Sequence, residues 1–325
     1  MKVSQSKAKL WRKCRQAYHY KYIMGLRKKV KARPLQFGSI VHRMIEAHAN
    51  GDDPFEELNN TGIENQKLFE AERELYGDII QDIRFIMTDY FKYWKSQDLI
   101  YHRVGGKNAE HQFDVEIAPG IIFTGKIDAF AKKPKSKLKW LVEHKTFKRK
   151  PSEDHRWKSI QSAVYLRVVE MLGWVKLDGT CWDYIGSKPP STPEILKNGQ
   201  LSRKKISTLP SVVDAFLTAN NLSFDHYKEF RALTEESQSN YFDRVFTPIS
   251  KPVVDEIFKD FIATAQEIQE LGEKSSLKSI DLHCDYCEYE SLCRAKLNNL
   301  DFDFVKEREY NVDNEAKEEP IEVVG

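Results

Sequence analysis

The sequence predicts an α/β (α+β) fold in which a mixed central sheet is flanked by helices. Three observations carry the prediction. Helical periodicity dominates residues 4–97, three strand-like runs follow between 111 and 147, and an amphipathic helix then leads into a fourth strand-like run ending at Gly186. With 325 residues, 41% of them apolar, the chain can bury one large core.

Residues 4–24, basic and rich in aromatics, read as one helix. The stretch GSIVHRMIEAHA reads as a second, with Ser39 as its cap and Gly51 as its stop. Residues 64–97 read as one or two long amphipathic helices within a helical insertion over 50–100. HQFDVEIA and IIFTGKIDAFAK alternate as strands around a Pro119-Gly120 turn, and LKWLVEHKTF is a third strand after the loop KPKSK. PSEDHRWKSIQSAVYLRVVEML has helical spacing, with Pro151 near its start and Gly173 after its end; KLDGTCWDYIG is the fourth strand. Residues 188–275 hold a Pro-rich loop and at least two helical stretches, read as an elaboration of the same domain. The expected organisation is one domain over 1–300, with a basic segment at 1–35, a core at 101–187, a cysteine segment at 281–297, and an acidic, mobile tail at 301–325.

Charge is segregated. Residues 1–33 hold twelve Lys or Arg and no acid, residues 132–150 hold nine bases against Glu143 alone, and residues 301–325 hold nine acids against three bases. The basic patches point to a phosphate-bearing partner. Arg12, Lys13 and Arg15 in the first patch and Lys148, Arg149 and Lys150 in the second are the candidate backbone contacts, with Trp11, Tyr18 and Tyr20 either stacking on bases if strands are held single or serving equally well as core or cluster-packing residues. A solvated face is the competing reading of each patch. The acidic tail is a candidate dock for a protein partner. No run is long and apolar enough for a membrane span, and the first residues lack the apolar centre of a secretory signal, so a cytoplasmic setting is expected.

The third strand carries the chemistry. Side chains alternate along a strand, so Glu143 and Lys145 share a face and His144 takes the other. A hairpin turning at Lys135 and Ser136 puts Asp128 opposite Glu143. Two carboxylates about 5 Å apart repel by about 3 kcal/mol at an effective dielectric near 20. A hard divalent cation, Mg²⁺ or Mn²⁺, would neutralise them, with Lys145 beside it to contact a phosphate or a water. An ionic lattice on an exposed edge is the alternative. His42 and Glu46 lie four apart on one helix, as do Gln161 and Tyr165. A neutral imidazole suits Mn²⁺, and an amide with a phenol suits phosphate or base contacts.

Cys14 lies far from the C-x₂-C-x₅-C of Cys284, Cys287 and Cys293, while Cys181 sits mid-strand as an inert core residue. The trio reads as a metal site. Four thiolates would serve zinc or an iron–sulfur cluster, and the residues alone do not choose. Either would clip the N-terminal helix to the C-terminal region.

Taken together, S4-Q-S6 leading to C14RQAYHYKY, G38SIVH42RMIE46, G125KID128, E143HK145, Q161SAVY165 and the terminal C-x₂-C-x₅-C resemble the RecB-like branch of the PD-(D/E)XK nucleases. They look most like its cluster-containing exonucleases, among them CRISPR adaptation nucleases and the nuclease domains of recombination helicases. The resemblance spans residues 4–296. It implies a restriction-endonuclease-like αβββαβ core, metal ligands at His42, Asp128 and Glu143, a catalytic Lys145, an accompanying Gln161 and Tyr165, and a [4Fe-4S] cluster on Cys14, Cys284, Cys287 and Cys293, with Zn²⁺ as the alternative. Arg15 stands where many relatives have Pro, and no helicase half is present. The implied function is metal-dependent hydrolysis of DNA, by an exonuclease of recombination or repair acting on free ends or single strands and encoded by a virus or mobile element. The alternative is a catalytically silent DNA- or partner-binding protein on the same scaffold, with a structural or redox-sensing cluster.

Overall fold

A computed structural model of the chain describes residues 1–325 apart from 66–69, 154, 155, 157, 158, 205 and 314–325. The chain opens with β1 (Lys2–Val3) and α1 (Gln5–Lys13), where the Ser4 hydroxyl accepts from the Lys7 N–H at 3.2 Å and caps the helix. α1 stops at Cys14, whose backbone is extended, and α2 (Arg15–Tyr18) then runs into a π-helical turn at His19–Ile23. The single helix expected over 4–24 is therefore interrupted. The cysteine breaks it without a Gly or Pro to mark the place.

After β2 (Leu26–Lys28) comes α3 (Arg33–Asn50). It starts six residues before Ser39, with Pro34 in its first turn, so Ser39 is an interior residue and not the cap; Gly51 ends it in the left-handed region, as expected. α4 (Pro54–Asn65), α5 (Glu70–Tyr76) and α6 (Ile79–Trp94) form the insertion; residues 66–69 of the expected long helix lie outside the described residues. The core follows with β3 (Ile100–Tyr101), β4 (Ala109–Ala118), β5 (Ile121–Lys132), β6 (Lys139–Phe147), α7 (Ile160–Leu172) and β7 (Gly179–Gly186). Residues 154, 155, 157 and 158, within the predicted start of the α7 helix, lie outside the described residues.

The region 188–275 supplies α8 (Pro210–Ala219), α9 (Lys228–Glu236), β8 (Phe242–Pro248) and the 21-residue α10 (Lys251–Leu271). β8 is a strand that the sequence reading missed, and it joins the central sheet. The chain continues through a 3₁₀ turn at Leu282–Tyr286 into α11 (Glu290–Leu297), α12 (Phe302–Glu309) and β9 (Tyr310–Val312). Residues 302–312 thus hold regular structure where a mobile tail was expected. β9 pairs antiparallel with β2, a contact a solvated tail would not make. The rest of that expected tail, 314–325, lies outside the described residues.

The sheet has the order β1-β5-β6-β7-β8, with β3 and β4 also pairing with β5. β5 and β6 are antiparallel, β6 and β7 parallel across the α7 crossover, and β7 and β8 antiparallel. Helices cover both faces. Trp11, Val164, Val168 and Phe261, from α1, α7 and α10, pack with Phe123 and Leu141; Phe37, Met44, Ile83 and Ile86, from α3 and α6, pack with Ile185 and Phe242. The predicted mixed sheet flanked by helices is what forms.

Gly179 lets β7 start beside β8. Its φ is +153°, and a Cβ there would lie 2.3 Å from the Thr247 carbonyl oxygen and 2.8 Å from Pro248 Cα. Gly179→Ala is expected to destabilise the protein by about 2–4 kcal/mol, read as an unfolding midpoint shifted to lower urea.

Candidate active site

The β5–β6 ladder runs in the predicted register, from Lys132↔Lys139 to Ala129↔Val142. Asp128 and Glu143 are the next residues, and there the strands part. The His144 N–H turns from the ladder and donates to Asp128 Oδ2 at 2.8 Å. Both carboxylates are buried, Asp128 at 4% exposure and Glu143 at 0%. Lys145 shares the Glu143 face as its parity requires: its Nζ lies 3.3 Å from Glu143 Oε2 and 3.4 Å from Gln161 Oε1 on α7. Tyr165, one turn further along α7, is buried, and burial lifts its phenol well above the usual range. From α3, His42 places Nδ1 3.9 Å from Asp128 Oδ1 and Nε2 3.0 Å from the His144 carbonyl oxygen.

Glu110 on β4 completes the group, and the sequence reading did not find it. His42, Glu110 and Asp128 each offer a ligand atom within 4.8 Å of the others'. Glu110 has φ +58°, rare for a non-glycine residue and worth about 1–3 kcal/mol of strain. A β-bulge between Glu116 and Ala118 shifts β4 by one residue against β5, which aligns residue 110 with Asp128. Glu46, one turn past His42, adds its charge to the surroundings of Glu110.

Burial governs the electrostatics. It pushes the Glu143 carboxyl up to about 7, with the Asp128 charge adding and the Lys145 ammonium opposing. It likewise lifts Glu110 to about 7, with Asp128 adding and an ion pair to Lys126 opposing. It lowers His42 to about 4 against the pull of Asp128, leaving a neutral imidazole. Burial raises Asp128 too, but His42, His144, Lys145 and the His144 N–H outweigh it and hold the carboxyl below its ordinary value. Glu143 Oε2 has the Lys145 ammonium as its one close partner, and Oε1 has none among the described residues. An unsatisfied buried acceptor costs about 1–3 kcal/mol, more when charged. Carboxylate oxygens with one imidazole are the donor set of a hard divalent cation, and His42, Glu110 and Asp128 supply it, with Glu143 outside that trio.

A family model of the PD-(D/E)XK nuclease superfamily matches residues 2–294. The chain belongs to the PD-(D/E)XK nuclease superfamily. Among solved structures, one described as "Crystal structure of SSO0001" covers 90% of this chain and 98% of its own, at 13% identity and a TM-score of 0.27, a likeness on which nothing further rests. No curated protein matches. Membership implies a Mg²⁺- or Mn²⁺-dependent nuclease acting on DNA, and the acidic group around Asp128 is the candidate metal site.

The remaining predicted residues of this PD-(D/E)XK chain fall into two sets. Three of the cysteines come together: Cys14, which closes α1, falls in one packed cluster with Cys287 and Cys293. All four are free thiols; Cys14, Cys287 and Cys293 pack with Tyr20, Tyr289, Leu292 and Tyr310, and Cys284 lies outside that cluster. Cys181 lies apart among Ala129, Val142 and Trp140, its thiol pushed far up by burial. The basic residues divide. Arg12 donates to Thr264 Oγ1 at 2.7 Å and the Asp260 carbonyl at 2.6 Å, Arg15 pairs with Glu267, and Lys150 pairs with Asp243 at 2.7 Å. These three are committed to the protein's own surface, leaving Lys13, Lys148 and Arg149 as exposed positions with no such tie among the described residues. The stacking role expected for Trp11, Tyr18 and Tyr20 is corrected: all three are at most 5% exposed, and Trp11 donates to Glu267 at 3.0 Å. Among the described residues, no helix is long and apolar enough to cross a membrane.

Proposed function

We propose that this chain hydrolyses DNA phosphodiester bonds at the group formed by His42, Glu110, Asp128, Glu143 and Lys145, as an exonuclease of DNA recombination or repair. The observation that carries the reading is the trio His42, Glu110 and Asp128, whose ligand atoms lie within 4.8 Å of one another, with the wholly buried Glu143 beside it and 3.3 Å from a lysine. Asp128 and Glu143, with His42 and Glu110, would hold one or two Mg²⁺ or Mn²⁺ ions. A bound ion would supply an acidified water and charge neutralisation at the phosphate. The neutral His42 ring offers a lone pair without adding positive charge. Lys145, braced between Glu143 and Gln161, orients the attacking water or offsets charge on the phosphate as the P–O bond breaks. Lys148 and Arg149, just past the end of β6, lie on the same chain segment and would follow the DNA backbone.

Cys14, Cys284, Cys287 and Cys293 are proposed to hold a [4Fe-4S] cluster, with zinc as the alternative, clipping α1 to the C-terminal region. Cys14, Cys287 and Cys293 share one cluster with Tyr20, Tyr289 and Tyr310, and Cys284 precedes Cys287 by one turn of 3₁₀ helix, which supports this reading. Protein purified without air should be brown if iron–sulfur and colourless if zinc.

Digestion of end-labelled single- and double-stranded DNA with Mg²⁺ or Mn²⁺ tests the main proposal. Stepwise shortening from an end is expected, abolished by chelation. Internal cutting would remove the exonuclease reading, and intact DNA under every metal would favour the silent scaffold.

Metal affinity should also depend on pH. Glu110 and Glu143 must lose protons to act as ligands, and both are lifted to about 7 in the metal-free protein. Mn²⁺ affinity should therefore rise from pH 6 to pH 8, by about tenfold per unit for each carboxyl below 7, and level off above. Calorimetry at the two pH values, in buffers of different ionisation enthalpy, reads both the affinity and the protons released.

A further inference from the structure

His144 stands between Glu143 and Lys145 yet faces away from them, and its main chain touches the candidate site twice. Its N–H donates to Asp128 Oδ2 at 2.8 Å, and its carbonyl oxygen lies 3.0 Å from His42 Nε2. The β5–β6 ladder has ended by this point, so no partner in β5's backbone holds this N–H. Its direction must be set otherwise.

The ring of His144 is anchored in a buried polar set that the proposed reaction does not use. Nδ1 lies 2.9 Å from Asp183 Oδ2, on the β7 residue paired with His144 in the parallel ladder. Asp183 accepts from the Tyr90 hydroxyl and, at 3.0 Å, from Arg244 Nε; Arg244 Nη2 in turn donates to the Tyr90 oxygen at 3.0 Å. The guanidinium lies 4.2 Å from the Trp94 ring. His144, Asp183 and Arg244 have side chains exposed by 4%, 0% and 4%. The set draws on α6, β6, β7 and β8, so four elements converge on one imidazole.

A buried acid–base set is not an economical way to hold a core together, because well-packed apolar residues of similar volume do as well or better. What it supplies is direction: every partner fixes the next by hydrogen bonds of defined geometry. Its outlet toward the cleft is the His144 peptide.

We propose that His144, anchored by Asp183, Arg244 and Tyr90, is a positioning residue that sets the Asp128 carboxylate and the His42 imidazole so that both face one cation. This rests on the metal-site reading given above. Outer partners that orient metal ligands typically contribute ten- to a hundredfold in affinity or activity.

The test compares Mn²⁺ binding by calorimetry, DNA cleavage and thermal unfolding for the full chain and two variants. His144→Leu removes the link to Asp183 but leaves Asp183 with Arg244 and Tyr90. His144→Asn keeps an N–H donor near the position of Nδ1. His144→Leu is expected to bind Mn²⁺ about tenfold or more weakly and to lose cleavage in parallel, with raised Mn²⁺ recovering part of it, whereas His144→Asn stays within about threefold of the parent. A purely structural residue would lower the melting temperature without moving Mn²⁺ affinity, and an unchanged Mn²⁺ affinity in His144→Leu overturns the proposal. If His144→Leu does not fold, Tyr90→Phe, which removes one hydroxyl from the set, decides: weaker Mn²⁺ binding supports the proposal and parental binding overturns it. A parent that binds Mn²⁺ but leaves DNA intact defeats the nuclease reading alone, since the affinity comparison still judges His144. A parent that binds no Mn²⁺ defeats both.

Discussion

Glu143→Gln is expected to lose about a thousandfold or more in cleavage rate while melting at a higher temperature than the parent when both are metal-free. The two effects share a cause. Glu143 is fully buried, has only the Lys145 ammonium as a close partner, and burial lifts its carboxyl to about 7. In the unfolded chain the same group ionises near 4.5. Below about pH 4.5 both states hold the proton and the residue has no pH-linked cost. Between 4.5 and 7 the unfolded chain releases it and the folded one does not, so the parent loses stability as pH rises, reaching its full penalty above 7. Glutamine does not titrate, so the gain should be about 1–3 kcal/mol at pH 8 and vanish near pH 4. Adding Mn²⁺ should reverse the order, stabilising the parent more than the variant. A variant that melts below the parent at pH 8 without metal would mean that the carboxylate is held by something other than an ion.

Asp183→Ala should unfold more easily than the parent by about 3–5 kcal/mol, because it takes the nearer carboxylate from a buried guanidinium and leaves it only Asp98, at 3.7 Å. Burial alone would raise the Asp183 carboxyl, but Arg244, His144 and Tyr90 outweigh it and hold it far below the usual range. The sign is therefore opposite to that of Glu143. The contribution of Asp183 is fully present above about pH 4, where the unfolded carboxylate is ionised, and fades in stronger acid as the folded group takes up its proton. Urea unfolding of parent and variant at pH 7 and pH 3 reads both the size and the convergence. Equal midpoints at pH 7 would show that Arg244 does not depend on Asp183.

The pairing of β5 with β6 was legible because a short turn and a period of two leave one register, and that register aligned Asp128 with Glu143 before any coordinates. Glu110 was not. The bulge near Glu116 moves the β4 register by one, and a left-handed backbone at Glu110 itself re-aims the side chain; neither leaves a Gly or Pro in the sequence. β8 was missed because FDRVFTP is short and carries Asp243 and Arg244, charges that read as solvated. Arg244 becomes interior through Asp183, sixty residues earlier. Trp11, Tyr18 and Tyr20, open in the sequence to a stacking or a core role, could not be assigned to the core for a related reason. Their basic neighbours suggested a surface, whereas Arg12 and Arg15 reach across to α10 and the rings fill the space beneath.

The pairing of β2 with β9, like the convergence of Cys14 on Cys287 and Cys293, ties the first thirty residues to segments some 270 residues later. During translation these early segments must wait. Until residue 312 leaves the ribosome, β2 has an open edge, and α1 lacks the α10 surface until residue 271 has emerged. A nascent chain of this kind would expose an aromatic-rich amino-terminal stretch for most of its synthesis, a natural target for a chaperone that recognises unfolded polypeptide.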